Sequence, residues 1–260
     1  MKHLLMAAML SLAAGCATVS GPAGRVPASE SLPYDAWAAV LEEFVDERGR
    51  VDFRGLALRR TELDRFVAWV YARSPESDPA LFRDRSAVLA FHLNAYNALS
   101  MYNVIESGFP QSLDGFAKVR FFYLTRLQVG RRAISLYDYE NKVIRLLGEP
   151  RIHFALNCMS VGCPVLPRVP FRAETMENDL QRETLKFMND VAHVRVDEST
   201  RTVWLSEIFN FFPEDFLAHS PSLPAYVNRY RTIKVPEDYA VRFIPYDWTV
   251  NAQPPATAQR

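Results

Sequence analysis

The sequence predicts an α+β fold, a single helix-rich domain with a small, mostly antiparallel sheet. Three observations lead there. Apolar residues recur at helical spacing through much of the first half, and the stretch 86–107 is apolar at nearly every position. Strict alternation is confined to short runs, mostly in the second half. No internal repeat and no break in composition divides the chain, so helices and strands segregate within one unit.

The 260 residues are 49% hydrophobic, enough for a sizeable core, and the 23% that are charged are ordinary for a globular domain. Thirty Lys and Arg balance thirty Asp and Glu, so no basic excess exists to neutralise phosphates, and nucleic acid is excluded as a partner class.

The first element is a targeting segment. Met1-Lys2-His3 is a short cationic start, Leu4 to Leu12 is an apolar run too short to span a bilayer, and Ala13-Ala14-Gly15 places small residues before Cys16. This resembles the lipobox of bacterial lipoproteins, with Ala13 where Leu is usual. It implies a signal peptide over 1–15, lipid attached through the Cys16 sulfur, and export to the cell envelope. Ala17, in place of an Asp, points to the outer membrane facing the periplasm. Residues 16–33, rich in Ala, Gly, Pro and Ser, form the expected lipidated tether, 34–251 the globular domain and 252–260 a flexible tail.

Within the domain, Trp37, Val40, Leu41 and Phe44 predict a helix over 34–46, followed by a turn at 47–50 and a short extended piece at 51–53. Leu63, Phe66, Val67 and Val70 mark a second helix. The central helix, 86–107, is expected to be buried on most sides. His92 and Asn103, about 20° apart around its axis, form a thin solvent-facing strip in this reading, and Asn94 and Asn97, about 60° apart, face the core and need partners. Residues 109–130 are expected to be irregular. A helix follows over 137–147, ended by Gly148 and Pro150. The alternation of 151–157 predicts a half-polar strand with His153 and Asn157 on one face. A loop with three prolines follows, then a helix over 173–190, a hairpin of 194–196 with 202–205, helices over 208–218 and 223–230, and a strand over 241–244.

The chemistry concentrates at His153, Cys158 and Cys163, and three readings stay open. Cys158 and Cys163 are the two cysteines left once Cys16 carries lipid, and in an oxidising compartment they are expected to form a disulfide. Alternatively, Cys158 or Cys163 is a nucleophile with His153 as its base. Zinc held by Cys158, Cys163 and His153 lacks an evident fourth ligand, so neither a metal nor a cofactor is expected. Beside these stands a plain core histidine next to a structural cysteine pair. Glu140, with Arg145 on its helix face, Asp215 and Asp247 are polar residues in apolar surroundings. Each suits either a cleft or a structural role such as a turn cap.

Five ordered segments, 89–99 (LAFHLNAYNAL), 135–145 (SLYDYENKVIR), 151–166 (RIHFALNCMSVGCPVL), 205–216 (LSEIFNFFPEDF) and 246–251 (YDWTVN), resemble the DUF547 family of proteins of unknown function. The resemblance runs from about Val51 to Asn251. It places the family's polar positions at Asn94, Asn97, Glu140, His153, Cys158, Cys163, Asp215 and Asp247, with Asn141 standing where the family often has histidine. The chain order of buried helix, histidine segment and late Asp/Asn is also similar to that of papain-like and transglutaminase-like thiol enzymes. The leading expectation is a lipid-anchored envelope module that binds a small-molecule or peptide ligand in a polar cleft of Asn94, Asn97, Glu140, His153, Asn157 and Asp247, its rim held by the two cysteines. The alternative is a hydrolase or acyl transferase acting on envelope peptides or amides, with His153 and Cys158 catalytic.

Overall fold

The computed structural model describes residues 18–19, 21–22 and 31–254; the signal segment, Cys16 and most of the tether lie outside these. Helix α1 (Tyr34–Phe44) buries Trp37, Val40, Leu41 and Phe44, the stripe its spacing predicts. Asp52 caps α2 (Phe53–Leu58) by accepting the Gly55 N–H, and α3 (Thr61–Ala72) packs Phe66 and Trp69 inward. These three surround α4 (Arg85–Glu106), which Asp84 caps through the Ala87 N–H and which is buried at every residue from Leu89 to Ile105. The expected solvent strip is therefore corrected. His92 and Asn103 are fully buried, because the segment after α4 wraps over them and supplies partners: Tyr139 OH lies 2.8 Å from His92 Nδ1, and Asn103 donates to the Phe121 carbonyl.

That wrapping segment is more ordered than its sequence suggested. Asp114 caps α5 (Gly115–Lys118), a π-helical turn continues over Val119–Leu124, and a two-residue turn at Gly130 and Arg131, both with positive φ, joins β1 (Leu127–Val129) to β2 (Arg132–Ile134). Helix α6 (Leu136–Tyr139) runs on into a second π-helical turn at Glu140–Ile144 and ends at Gly148, in the left-handed conformation. The strand expected at 151–157 is corrected too. Pro150–Phe154 is a 3₁₀ helix with proline at its start, and 152–160 is buried on all sides, so alternation there marked no face.

Helix α7 (Met176–Asn189) spans both hydrophobic cores. Its start packs with the core around α4. Its end, Phe187 and Met188, packs with a smaller core formed by β3 (Val194–Asp197), β4 (Thr202–Ser206), α8 (Ile208–Phe211), α9 (Pro213–Leu217) and α10 (Leu223–Asn228). β3 pairs antiparallel with β4, and β5 (Ala240–Ile244) pairs parallel with β4, so the hairpin and late strand fall where the pattern put them. The expected helix over 208–218 is broken at Phe212 and Pro213. The chain then returns to the first core, where Val51 bridges Ala252 and Gln253 donates to the Phe44 and Arg50 carbonyls. Order thus reaches past residue 251. At the other end, Val19 N–H donates to the Arg126 carbonyl, so this part of the tether rests on the domain. No helix among the described residues is long and apolar enough to cross a membrane.

Candidate functional site

A cavity is built on the loop 157–164, and Asn97 of α4 holds the start of that loop in place. Asn97 donates to the Ala155 carbonyl at 3.0 Å and accepts the Asn157 N–H at 2.7 Å. Asn157 in turn accepts the Met159 N–H and donates to the Pro164 carbonyl, both at 2.7 Å, clamping the loop at its two ends. The far side of the loop pairs with 247–251. Val161 N–H donates to Thr249, Gly162 N–H to Asp247, and Asn251 N–H to Met159. A Cβ at Gly162 would lie 2.9 Å from the Asp247 nitrogen and from the Tyr246 ring, so glycine is what lets Tyr246 lie against the loop.

This framework brings Cys158 and Cys163 together as free thiols, with Sγ atoms 2.9 Å apart. The expected disulfide is not formed in the structure, where the separation exceeds a covalent S–S length. The two sulfurs have unlike surroundings. Cys163 Sγ accepts the Cys158 N–H at 3.0 Å and lies 3.0 Å from Tyr246 OH, whereas Cys158 Sγ lies 2.8 Å from Ser160 Oγ. Burial acts to raise the Cys163 thiol, but hydrogen bonds from Cys158, Tyr246 and the main chain outweigh it and bring it down to about 6. Burial, with the neighbouring Cys163 sulfur adding to it, holds the Cys158 thiol well above its ordinary range.

His153 reaches the site from the 3₁₀ helix and is stacked on Phe212 with ring centroids 4.3 Å apart. Its Nε2 lies 2.7 Å from Asp215 Oδ2 on α9, and Arg145 grips the same carboxylate through Nε at 2.7 Å and Nη2 at 2.9 Å. Burial acts to raise Asp215, yet its bonds to His153 and Arg145 win and hold it below the usual carboxylate range. Burial lowers the imidazole, with Asp215 opposing, so the neutral ring donates from Nε2 and keeps Nδ1 as an acceptor. Glu140, in the π-helical turn, accepts from Tyr96 OH at 3.0 Å, and burial pushes its carboxyl up to about 7. Asn141 accepts from Arg145 Nη1 at 2.7 Å.

Glu140, His153, Cys158 and Cys163 line one cavity of about 420 Å³, walled by aromatic rings that include Phe122, Phe212, Tyr246 and Trp248. Lys118 Nζ lies 3.7 Å from the Trp248 ring centroid at its edge. The other expected cleft residues are elsewhere. Asn94 spends all its hydrogen bonds on Trp37, the Ala90 carbonyl and both main-chain groups of Phe171. Asn97 and Asn157 are committed to the loop, and Asp247 is an exposed turn residue that accepts the Thr249 N–H. No hydrogen bond joins His153 to either sulfur. No group of three or more metal-ligating side chains gathers among the described residues. Sequence reasoning missed Tyr96, Ser160 and Tyr246. All three lie in the quoted motifs, and the signal was a hydroxyl set among apolar neighbours, which must find a partner when buried.

The matched family segment centres on this site. Residues 82–188 match the model of the family described as protein of unknown function, DUF547. The match supports the motif resemblance over the segments 89–99, 135–145 and 151–166 and does not extend to 205–216 or 246–251. It takes in the helix amides, Glu140, His153 and both cysteines, whereas Asp215 and Tyr246, which contact His153 and the two sulfurs, lie beyond it. No curated protein and no solved structure matches the chain.

Proposed function

We propose that this is an exported lipoprotein, anchored through lipid on Cys16 in the outer membrane and facing the periplasm, whose cavity binds a small-molecule or peptide ligand through its amide groups. The targeting part rests on the run from Lys2 to Cys16. One observation carries the binding part: Glu140, His153 and Cys163, each with displaced proton affinity, open on a single aromatic-walled cavity. An amide presents one donor and one acceptor. The acceptor Nδ1 of His153 and the Glu140 carboxyl, which burial raises toward its protonated, donating form, suit the two.

Trp248 is the cavity's own reporter. Titrating the detergent-purified lipoprotein with short envelope-type peptide amides is expected to give a saturable fluorescence change that Trp248→Phe removes. No change across the set at millimolar concentration, or an unaltered change in Trp248→Phe, sinks the binding reading. Cys16→Ala is expected to release the protein from membranes and abolish fatty-acid labelling; an unlabelled wild-type protein sinks the anchor.

A second reading, a cysteine-dependent hydrolase or acyl transferase on envelope peptides or amides, draws support from the hydrogen bonds that lower the Cys163 thiol below its ordinary range. It moves the nucleophile from Cys158 to Cys163. Asp215 orients the His153 ring through Nε2 and leaves Nδ1 as the base, but no hydrogen bond joins that ring to either sulfur, so the ring would have to reach Cys163 through the substrate or a water. Release of a peptide-bound chromogenic amide that Cys163→Ser abolishes is the outcome that would favour it.

A further inference from the structure

We propose that Cys158 and Cys163 are a reversible dithiol–disulfide couple, with Cys163 the attacking sulfur and Cys158 the resolving one, that exchanges with a low-molecular-weight disulfide entering the cavity.

Three observations carry this. First, the sulfurs are 2.9 Å apart, so closing to the ~2.05 Å of a disulfide requires a shift of about 0.9 Å. Second, both cysteines line the cavity, so a disulfide small enough to enter meets them directly. Third, the loop does not depend on a covalent bond for its shape. Asn97, Asn157 and the pairing with 247–251 hold it on both sides. A disulfide closing so short a loop would add only about 2 kcal/mol. A bond that the fold does not require is free to open and close. Met159, between the cysteines, holds a positive φ of 68° while fully buried, a costly conformation for a non-glycine residue at the point where the two sulfurs are brought together.

The division of labour follows from the contacts. Cys163 Sγ receives the Cys158 N–H and faces Tyr246 OH, the donors that favour a thiolate. In the first step this thiolate attacks one sulfur of R–S–S–R. The Cys163–S–S–R bond forms, the R–S bond breaks, and R–S⁻ leaves. In the second, Cys158 gives up its proton and attacks the Cys163 sulfur. The second R–S⁻ leaves, and both thiolates end as R–SH, taking up the two protons of the original dithiol. The couple loses two electrons, and the substrate disulfide gains them. An external dithiol reverses the sequence.

The test uses the intact lipoprotein in detergent, reduced and freed of reductant, with hydroxyethyl disulfide as probe. The wild type is expected to lose two hydrogens by mass and to recover them with dithiothreitol while still folded. Cys158→Ser should stop at one hydroxyethylthio adduct on Cys163, and Cys163→Ser should form its adduct on Cys158 at least about tenfold more slowly. Alkylation of Cys163 in Cys158→Ser should rise with pH in a wave that Cys163→Ser lacks. Equal adduct rates in the two variants would overturn the assignment of roles. A bond that resists dithiothreitol until the protein is denatured would make the pair a permanent staple, and thiols inert to the probe until denaturation would remove the couple altogether. Near-ultraviolet circular dichroism keeps a misfolded variant from being read as either result. Peptide binding followed at Trp248 is a separate readout, so failure of the couple and failure of the ligand reading are told apart.

Discussion

Two sets of buried polar side chains meet at the loop 157–164, one beneath it and one facing the cavity. Beneath it, Asn97 and Asn157 bond to main chain at 155, 157, 159 and 164, and Asn94, further back on the same helix as Asn97, bonds mostly to the main chain of Ala90 and Phe171. On the cavity side, Glu140, His153, Cys158 and Cys163 bond largely to other side chains and keep one side open. Both sets fall on positions of the same motifs, yet the amides spend their bonds fixing geometry, whereas the ionisable groups at the cavity have their proton affinity displaced, by burial at Glu140, His153 and Cys158 and by hydrogen bonds that outweigh burial at Cys163. The amides fasten, and the cavity groups are tuned.

The sharpest test of that division is Asn94→Ala. It would strand the Trp37 indole N–H and the Phe171 N–H in a sealed environment, so a loss of about 3–5 kcal/mol is expected in denaturant unfolding. Thiol reactivity in the folded fraction should stay unchanged. A loss below about 1 kcal/mol, or an altered Cys163 reactivity, would break the comparison from the fastening side.

Asp215→Asn comes next, at about 2–3 kcal/mol, because Arg145 loses a two-pronged carboxylate in a partly buried setting. The Asp215 carboxyl is lowered in the fold, so its contribution is present above the unfolded pKa, about 3.9, and is lost as pH falls through the folded value. The variant should therefore flatten the acid limb of the stability curve. It should also lower the His153 pKa further in NMR titration, since Asp215 is what opposes burial there.

Glu140→Gln reports on tuning alone. The carboxyl is raised to about 7 in the fold, so its stabilising effect is complete below the unfolded value, about 4.3, and drains away as pH rises to about 7. Gln should remove that slope and leave the variant more stable than wild type above pH 7, by about 1–3 kcal/mol. Parallel curves for the two proteins would show that Glu140 is not displaced.

How much of this was legible in the sequence depended on length and on partners. Helix α4 was readable because 22 residues of nearly unbroken apolar character leave no alternative to a buried helix, and the β3–β4 hairpin because its alternation brackets a polar turn. Residues 151–157 misled because a run buried all round can alternate by chance. His153 and Glu140 were identifiable as site residues, but Asn94 was not separable from them. A buried amide calls equally for a ligand or for a carbonyl 77 positions away, and only the fold supplies Phe171.

Asp247 is where motif membership and site membership part most plainly. It adjoins Tyr246, which touches both sulfurs, yet its own carboxylate accepts only the Thr249 N–H at an exposed turn, while its main chain receives Gly162 N–H. Asp247→Ala removes the turn cap and leaves the main-chain bond, so the expected cost is small, about 0.5–1 kcal/mol, with Cys163 alkylation unchanged. Tyr246→Phe should do the opposite, leaving stability nearly intact while slowing alkylation of Cys163 near pH 6–7, since the phenol hydroxyl is one of the donors that lower this thiol. If instead Asp247→Ala slowed the thiol and Tyr246→Phe did not, the cavity would owe its tuning to the turn rather than to the hydroxyl packed against the sulfurs.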